Sequence, residues 1–203
     1  RWSPRGKALG DWSYDGGRAR PEFCPALMIL HLIRHPEPVI KPGICYGRLD
    51  ILAKNAEAAA ERLRAELPPD LPVWSSPLRR CRELAELLHP APRFDQRLAE
   101  MDFGLWEGRP WDSIPRTELD AWAADIAGYT PPGGESPRDV QRRVLDFINE
   151  LAVPQAVLVT HAGVIRLLLA AHHDLPVERW LEQSVAYAAR LVLDLGRPGS
   201  GDV

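Results

Sequence analysis

Three short apolar segments of this chain end abruptly in polar residues. They are "MILHLIRH" (28–35), "VWSS" (73–76) and "AVLVTH" (156–161). Apolar runs of this length, without polar residues in alternation, indicate strands that are buried on both faces. Helical patterns follow each of them. Strands that alternate with helices in this way predict a three-layer α/β/α sandwich with a mostly parallel central sheet.

The helical segments carry apolar residues at the three- and four-residue spacing of a single helix face. Ser136 and Pro137 begin one of these helices well, since serine caps a helix end and proline suits the first turn. The predicted helices span residues 55–67, 77–89, 116–127, 136–151 and 161–173, and "ARLVLDL" (189–195) is a last strand.

The chain has 203 residues, which is enough for one domain with a substantial core. Its first 27 residues are rich in Gly, Arg and Pro and lack both periodicity and the apolar core of a signal peptide. Met28 directly precedes the first strand. We therefore interpret residues 1–27 as a disordered or non-native N-terminal extension and residues 28–203 as the functional domain.

Composition excludes several classes of partner. The net charge is -3 and charges of both signs are interspersed, so neither nucleic acid nor a membrane is expected as a partner. No apolar run approaches the roughly 18 residues of a membrane span. The cysteines are Cys24, Cys45 and Cys81. Their odd number argues against a disulfide framework, and the lack of CxxC spacing argues against a zinc site. We predict a cytoplasmic protein, and a homodimer is left open.

Side chains with complementary chemistry follow the predicted strands. Arg34 and His35 end the first strand, and His161 follows the strand before the last helix. Parallel strands with right-handed crossovers bring such ends to one edge of the sheet. Arg79 and Arg80 fall in the first turn of a helix, where free N–H groups attract anions. Because arginine forks suit phosphate oxygens, the sequence predicts a phosphate site at this edge.

A proton donor is available in "LAEMDFGLWEG" (98–108), which contains Glu100, Asp102 and Glu107. A carboxyl group can protonate a departing alkoxide when the site holds its pKa high. The residues by themselves leave the choice among the three open.

Four segments together resemble the histidine phosphatase superfamily, the phosphoglycerate mutase-like proteins. They are "LIRHPEP", "WSSPLRRCRELA", "RLAEMDFGLWEG" and "VTHAGVIR", in the order and at roughly the spacing of that family, and the resemblance covers residues 28 to about 170. It implies a phosphoglycerate mutase-like fold and hydrolysis of a small phosphate monoester through a phosphohistidine. No metal or other cofactor is implied, because side chains supply the positive charge.

The resemblance assigns roles residue by residue. His35 matches the nucleophile that is transiently phosphorylated, and Glu100 matches the proton donor. Arg34, Arg80 and His161 match the residues that grip the phosphoryl group, so these five residues are the predicted catalytic set. The predicted substrate contacts are Arg34, Arg80, Tyr46, Gly47 and Gly163.

The chain departs from the family pattern after the Arg-His pair. Pro36 replaces the usual glycine, Pro38 occupies the hydroxyl position and Lys41 the asparagine position. Hydroxyl and amide contacts to phosphate are lost as a result, which changes the expected pocket. We interpret Lys41 as a solvated side chain.

The segment "GICYGRLD" (43–50) resembles the α-ribazole phosphatases, which act on a nucleotide-like 5′-phosphate during cobalamin biosynthesis. In this interpretation Tyr46 stacks on the base. The chain between Glu100 and His161 is shorter than in the phosphoglycerate mutases. A small lid favours water as the acceptor, so we expect a hydrolase before a mutase.

Other classes of function are less well supported. A binding relative without catalysis would usually lack one of the catalytic residues, and all are present. A serine hydrolase is disfavoured because "GESPR" lacks the second glycine of the nucleophile elbow. His172 and His173 are adjacent, so they do not face together on a helix as metal ligands would. The large aromatic residues Trp106, Trp111 and Trp122 are interpreted as structural.

Overall fold

The computed structural model describes residues 28–180 and 182–196. The predicted N-terminal extension, residues 1–27, lies outside the described residues. Within the described part of the chain the strands are β1 Ile29–Arg34, β2 Val73–Ser75, β3 Arg93–Phe94, β4 Gln155–Thr160 and β5 Arg190–Asp194. The α-helices there are α1 Ala56–Glu66, α2 Arg79–Leu88, α3 Arg116–Ala124, α4 Pro137–Glu150 and α5 Ala162–His172.

The strands form one sheet in the order β3-β2-β4-β1-β5. β1 pairs with β4 in parallel, β2 pairs in parallel with both β4 and β3, and β5 runs antiparallel at the edge beside β1. The predicted mostly parallel sheet is confirmed. β3 has no counterpart in the sequence prediction, because two residues are too few to show a period.

Both faces of the sheet are covered by helices. On one face, Leu30 and Leu32 belong to a core that includes Phe147 of α4 and Leu168 of α5. On the other face, Ile33 packs in a second core that includes side chains of α1 and α2, namely Ala59, Ala60, Leu63, Cys81, Leu84 and Ala85. Burial on both faces explains why β1 is a continuous apolar run, and the predicted three-layer sandwich is confirmed.

Helix α4 begins where the sequence predicts. The Ser136 hydroxyl accepts a hydrogen bond from the backbone N–H of Asp139 at 3.2 Å, and the Asp139 carboxylate accepts one from the N–H of Ser136 at 3.2 Å. This reciprocal arrangement satisfies two backbone N–H groups at the helix start. Pro137 occupies the first turn, where a missing N–H costs nothing.

A third, smaller core lies in the segment between β3 and α4. Trp106 is fully buried in it and donates its indole N–H to Glu118 at 2.5 Å. Trp111 and Trp122 stack with ring centroids 5.9 Å apart. These rings pack with Phe103 and with each other, in agreement with a structural role. No helix in the described ranges is both long and apolar enough to span a lipid bilayer.

Candidate active site

The carboxyl ends of β1, β4 and β2 meet at one edge of the sheet. Arg34 pairs with Thr160 in the register of β1 and β4, so His35 and His161 both lie one residue beyond the paired strands. Their ring centroids are 5.1 Å apart, and the two residues are 2% and 0% exposed. Ser76, the residue after β2, donates its N–H to Val159 of β4 at 2.9 Å. The sheet therefore brings the two predicted histidines together in a buried pocket.

The tautomer of His35 follows from its hydrogen bond. Its Nδ1 lies 2.6 Å from the carbonyl oxygen of Pro36. A carbonyl oxygen only accepts, so Nδ1 carries the hydrogen and Nε2 keeps a lone pair. Burial, and next the positive charge of Arg80, lower the pKa of His35 to about 3. His35 is therefore neutral near pH 7 and presents a nucleophilic nitrogen.

His161, like His35, is an uncharged ring at neutral pH. It directly precedes α5, and its Nε2 lies 2.8 Å from the hydroxyl oxygen of Ser76 and 3.4 Å from the sulfur of Cys81. Burial, and next the charge of Arg80, hold the pKa of His161 well below its usual value. Neither histidine in the pocket carries a positive charge at neutral pH.

These two buried rings predict an acid-sensitive fold. The pKa of His35 is lowered in the folded protein, so the unfolded chain, with an ordinary histidine pKa of about 6.5, binds protons first as pH falls. Folding stability is complete above pH 6.5 and is lost as pH falls below it. We expect protonation of His35 by itself to cost about 1.4 kcal/mol of folding stability at pH 5.5, and His161 to act in the same direction.

Urea unfolding at pH 7.5, 6.5 and 5.5 measures this effect together with that of His31 and His172, whose pKa values are also lowered. The carboxylates whose pKa values are lowered, Asp95, Glu135 and Asp139, titrate below this range. A free energy of unfolding that stays constant or rises from pH 7.5 to pH 5.5 would contradict the prediction.

Arg80 is fully buried in the first turn of α2. Its Nη1 donates to the carbonyl oxygen of Leu49 at 2.7 Å, and its Nη2 to that of Gly47 at 2.6 Å. The ring of Tyr46 lies 5.4 Å from its guanidinium carbon. These contacts hold the guanidinium group of Arg80 against the loop that contains the segment 43–50. Its buried Nε has no hydrogen-bond partner among residues 28–180 and 182–196.

Arg34 contacts a different loop, the one that precedes β5. Its Nη1 donates to the carbonyl oxygen of Val185 at 2.5 Å, and its guanidinium carbon lies 3.7 Å from the ring centroid of Tyr187. The Tyr187 ring is 5.8 Å from that of His35, and its hydroxyl is 3.2 Å from the hydroxyl of Tyr46. The two tyrosines thus border the pocket together, each beside one arginine.

Tyr187 is a site residue that sequence reasoning missed. It lies in the loop before β5, and because β5 is antiparallel to β1, the start of β5 lies where β1 ends. The backbone N–H of Ala188 donates to the carbonyl of His35 at 3.2 Å, which fixes this loop at the site. The only signal in the sequence is an aromatic residue shortly before the last strand, which is too weak to identify a site.

Arg34 and Arg80 have no carboxylate partner in the described part of the chain. Among the same residues, the Nε of each is buried without a hydrogen-bond partner. Buried cationic groups without a counter-ion are costly, and their free donors call for an acceptor. With the histidines neutral, the pocket is suited to an anion with several acceptor oxygens.

Glu100 is the carboxylate of the three candidates that lies beside His161. Its Oε2 accepts the N–H of Gly163, in the first turn of α5, at 3.2 Å. Asp102 accepts the N–H of Gly104 at 2.8 Å within its own loop. Glu107 accepts three backbone N–H groups and so braces two loops; the donors are Arg48, Leu49 and Phe103. Of the three carboxylates, Glu100 is therefore the one with a recorded hydrogen bond to the helix that follows His161.

Gly47 is required by close packing against the backbone, and a side chain at Gly163 would displace the carboxylate of Glu100. A Cβ at Gly47 would lie 1.8 Å from the carbonyl oxygen of Met101, and a Cβ at Gly163 would lie 2.3 Å from Oε1 of Glu100. Both glycines thus have a structural reason to be present, and contact of either one with substrate stays a prediction.

A partly buried ion-pair network links the loops of the site. The carboxylate of Glu135 pairs with Arg143 of α4 at 2.9 Å and with Arg48 at 3.2 Å. It also accepts the N–H of Asp102 at 3.0 Å. Arg143 donates in turn to the backbone carbonyl of Glu100 at 3.1 Å. The sequence analysis assigned no role to this network, because its members lie far apart along the chain.

The departures from the family pattern have visible structural roles. Pro36 is buried and supplies the carbonyl that orients His35. Pro38 forms an isolated antiparallel bridge with Ala53, which ties the loop after β1 to the segment before α1. Lys41 is exposed, as a solvated side chain would be.

Cys45 and Cys81 are free and buried thiols. Over residues 28–180 and 182–196, no three His, Cys, Asp or Glu side chains lie close enough together to hold a metal ion. The rings of His172 and His173 meet edge to face at the end of α5, with centroids 4.9 Å apart, so the expectation that these adjacent side chains do not face together is wrong. His173 follows the last residue of the helix, so helical spacing does not hold there.

Comparison with known proteins gives consistent matches. The model of the histidine phosphatase superfamily, branch 1, matches residues 30–200. Glucosyl-3-phosphoglycerate phosphatase of Mycolicibacterium vanbaalenii is 35% identical over 179 residues, which cover 74% of this chain and 76% of that protein. The 6-phosphofructo-2-kinase/fructose-2,6-bisphosphatase of Caenorhabditis elegans is 35% identical over 130 residues, 61% of this chain and 28% of that protein. The match therefore spans less than a third of the bifunctional relative.

Solved structures agree in fold. A crystal structure of phosphoglycerate mutase from Thermus thermophilus has a TM-score of 0.69 and 37% identity, and the match covers 82% of this chain and 93% of that one. The mycobacterial glucosyl-3-phosphoglycerate phosphatase, solved in complexes with VO3, has a TM-score of 0.71 and 32% identity, with 82% and 92% covered. This chain is similar to each of them over most of its length.

Proposed function

The chain belongs to the histidine phosphatase superfamily, branch 1, and from that premise we propose that it hydrolyses a phosphate monoester through a phosphohistidine on His35. The observation that carries the proposal is the unbalanced charge of Arg34 and Arg80 beside the lone pair of His35. A phosphate dianion supplies both the charge and the acceptor oxygens that this pocket lacks.

In the first step, Nε2 of His35 attacks phosphorus in line with the ester bond. The N–P bond forms as the P–O bond breaks, and the electron pair of that bond goes to the leaving oxygen. Glu100 gives its proton to this oxygen, so the alcohol leaves uncharged. Arg34, Arg80 and His161 hold the three equatorial oxygens, where negative charge is spread in the transition state.

In the second step, water attacks the phosphohistidine. The Glu100 carboxylate takes the proton of the water, the P–N bond breaks, and its electron pair returns to Nε2 of His35. Inorganic phosphate leaves and the neutral imidazole is regenerated. Glu100 thus acts first as an acid and then as a base, which suits its place beside the first turn of α5 and His161.

Two features bear on the organic part of the ester. Tyr46 and Tyr187 border the pocket, and Tyr187 is 41% exposed, so its ring is open to a substrate group. The resemblance of segment 43–50 to the α-ribazole phosphatases supports α-ribazole 5′-phosphate as the substrate. The base of that substrate would contact the two tyrosine rings. The matched relatives are named for glucosyl-3-phosphoglycerate and fructose 2,6-bisphosphate, which supports a sugar-containing ester equally. The proposed substrate class is a phosphate monoester with a ring in its alcohol part.

A panel of esters tests this proposal. We would measure kcat/KM for α-ribazole 5′-phosphate, glucosyl-3-phosphoglycerate, fructose 2,6-bisphosphate and a simple aryl phosphate, with EDTA present. One ring-containing ester is expected to exceed the aryl phosphate by several orders of magnitude. Phosphate release no faster than that of a His35→Ala variant on every ester would instead indicate a binding relative. Transfer of the phosphoryl group to a second alcohol, in place of release, would indicate a mutase.

A further inference from the structure

Ser76 is a fully buried residue at the end of β2 whose side chain touches the imidazole of His161. We propose that the Ser76 hydroxyl is a positioning group that fixes which nitrogen of His161 carries the hydrogen. The catalytic consequence rests on the proposed function, whereas the assignment of the tautomer depends on the contacts of the ring only.

The position of Ser76 is set by the sheet. Its N–H donates to Val159 of β4 at 2.9 Å, and His161 follows β4 by one residue, so both side chains lie at the same edge. The hydroxyl oxygen is 2.8 Å from Nε2 of His161, and both residues are 0% exposed. A contact that is buried on both sides lies in a low dielectric, where the direction of a hydrogen bond matters more than it does in water.

The direction of the hydrogen bond follows from where the buried hydroxyl hydrogen can go. The Ser76 oxygen accepts the backbone N–H of Leu78 at 3.3 Å, and it has a second lone pair, so this contact by itself leaves the direction open. The O–H, however, needs an acceptor, and its recorded neighbours are Nε2 of His161 and the sulfur of Cys81. A ring nitrogen is a stronger acceptor than a thiol sulfur, so the O–H donates to Nε2. When Nε2 accepts, the hydrogen of the neutral ring is on Nδ1.

This tautomer is the one that phosphate binding requires. Phosphoryl oxygens accept hydrogen bonds, so the ring must offer an N–H to them and not a lone pair. Apart from the Cys81 sulfur at 3.8 Å, Nδ1 of His161 has no recorded partner within the described residues, which leaves it for a ligand. His35 is set the opposite way, because the Pro36 carbonyl holds its Nδ1–H and frees the lone pair of Nε2. Two neighbouring rings thus receive opposite roles, one as nucleophile and one as donor.

Cys81 is the competing explanation for the state of this ring. Its sulfur lies 3.4 Å from Nε2 of His161 and 3.5 Å from the carbonyl oxygen of Thr160. A thiol is a weak donor, and the Thr160 carbonyl is a stronger acceptor for its hydrogen than the ring. We therefore assign the control of the tautomer to Ser76 and use Cys81 as one arm of the test.

The chain offers a matched control at the preceding position. Ser75 is also 0% exposed, but its hydroxyl donates to the carbonyl oxygen of Ser76 at 2.8 Å and is not bonded to His161. Ser75→Ala removes a buried hydroxyl of the same kind without removing the contact to the ring. Any loss of stability that comes from deleting a buried hydroxyl should thus appear in both variants.

The primary measurement is the ¹⁵N chemical shift of the two His161 ring nitrogens in the wild-type protein and in Ser76→Ala, Ser75→Ala and Cys81→Ala. The wild-type ring is expected to be neutral with hydrogen on Nδ1. Ser76→Ala should shift the ring to a mixture of tautomers or to Nε2–H, and the other two variants should retain the wild-type spectrum. We also expect kcat to fall roughly 100-fold in Ser76→Ala, as for a lost oxyanion donor, with KM little changed.

The outcomes separate the two proposals. A Ser76→Ala ring that keeps Nδ1–H, with kcat near that of Ser75→Ala, would overturn the assignment of Ser76, as would a change of tautomer in Cys81→Ala only. A wild-type protein without turnover, whose ring still changes tautomer in Ser76→Ala, would overturn the phosphatase proposal and support Ser76. If Ser76→Ala does not fold, Ser76→Cys keeps the side-chain size with a weaker donor and is judged by the same spectra.

Discussion

His35→Ala is expected to abolish hydrolysis of every phosphate ester and to leave no phosphorylated protein. The variant lacks the lone pair of Nε2 on which the covalent step depends, while Arg34 and Arg80 still attract phosphate. We expect kcat to fall by at least about 10⁴-fold, the scale of removing a nucleophile. The intermediate is measured directly by mass spectrometry of the intact protein after an alkaline quench, since phosphohistidine is labile in acid.

His89→Ala is the matched control for this prediction. The His89 ring lies just beyond the C-terminal end of α2, where its Nδ1 accepts the N–H of Ala91 at 3.0 Å. Its removal should leave both turnover and the phosphoprotein unchanged. Normal activity in His35→Ala, or a phosphoryl adduct that survives in it, would refute His35 as the nucleophile.

Arg80→Ala is expected to produce the second large effect. The variant loses a buried cation and with it the free Nε donor of the pocket. Removing one donor of this kind from a transition state costs about 2.7–4 kcal/mol, so kcat/KM should fall about 10²- to 10³-fold. Orthovanadate, which can adopt the five-coordinate geometry of the transition state, should bind more weakly by a similar factor. The value of kcat/KM and the inhibition by orthovanadate are both measured with the substrate that the panel identifies.

The neighbouring arginine provides the control. Arg79 lies in the same turn of α2, but its side chain is exposed and only approaches Glu83, at 4.0 Å. Arg79→Ala should change kcat/KM by less than about twofold, as is usual for surface substitutions. Arg80→Lys keeps the charge and loses the fork, so its activity should fall between the wild type and Arg80→Ala. Equal losses in the two alanine variants would show that general positive charge, and not the fork of Arg80, binds the ester.

The parts of the fold that the sequence predicted are those with a local period. The apolar run of β1, the stripes of α1 and α2, and the start of α4 at Ser136 and Pro137 each depend on residues within one segment. β3 and the loop of Tyr187 were missed for the opposite reason. β3 is too short to show a pattern, and Tyr187 reaches the site only because β5 turns back beside β1.

Among the candidate acids, the sequence left three carboxylates within eight residues of one another. The structure separates them by their partners: Glu107 is engaged by three backbone N–H groups, whereas Glu100 lies at the first turn of α5. Ser76 could not be assigned from the sequence either. It lies in the segment "WSSPLRRCRELA", where no role was predicted for it, and its proposed role depends on the 2.8 Å contact with His161 in the folded protein.

The sequence by itself determined which residue types are available and at which strand ends they emerge, because hydrophobic periodicity and helix signals act over a few residues. It therefore determined the sandwich and placed Arg34, His35, Arg80 and His161 at one edge. The tertiary structure decided what these groups are able to do. The absence of a counter-charge for the arginines, the neutral state of the histidines and the direction of each ring's hydrogen bond arise from burial and from partners distant in sequence.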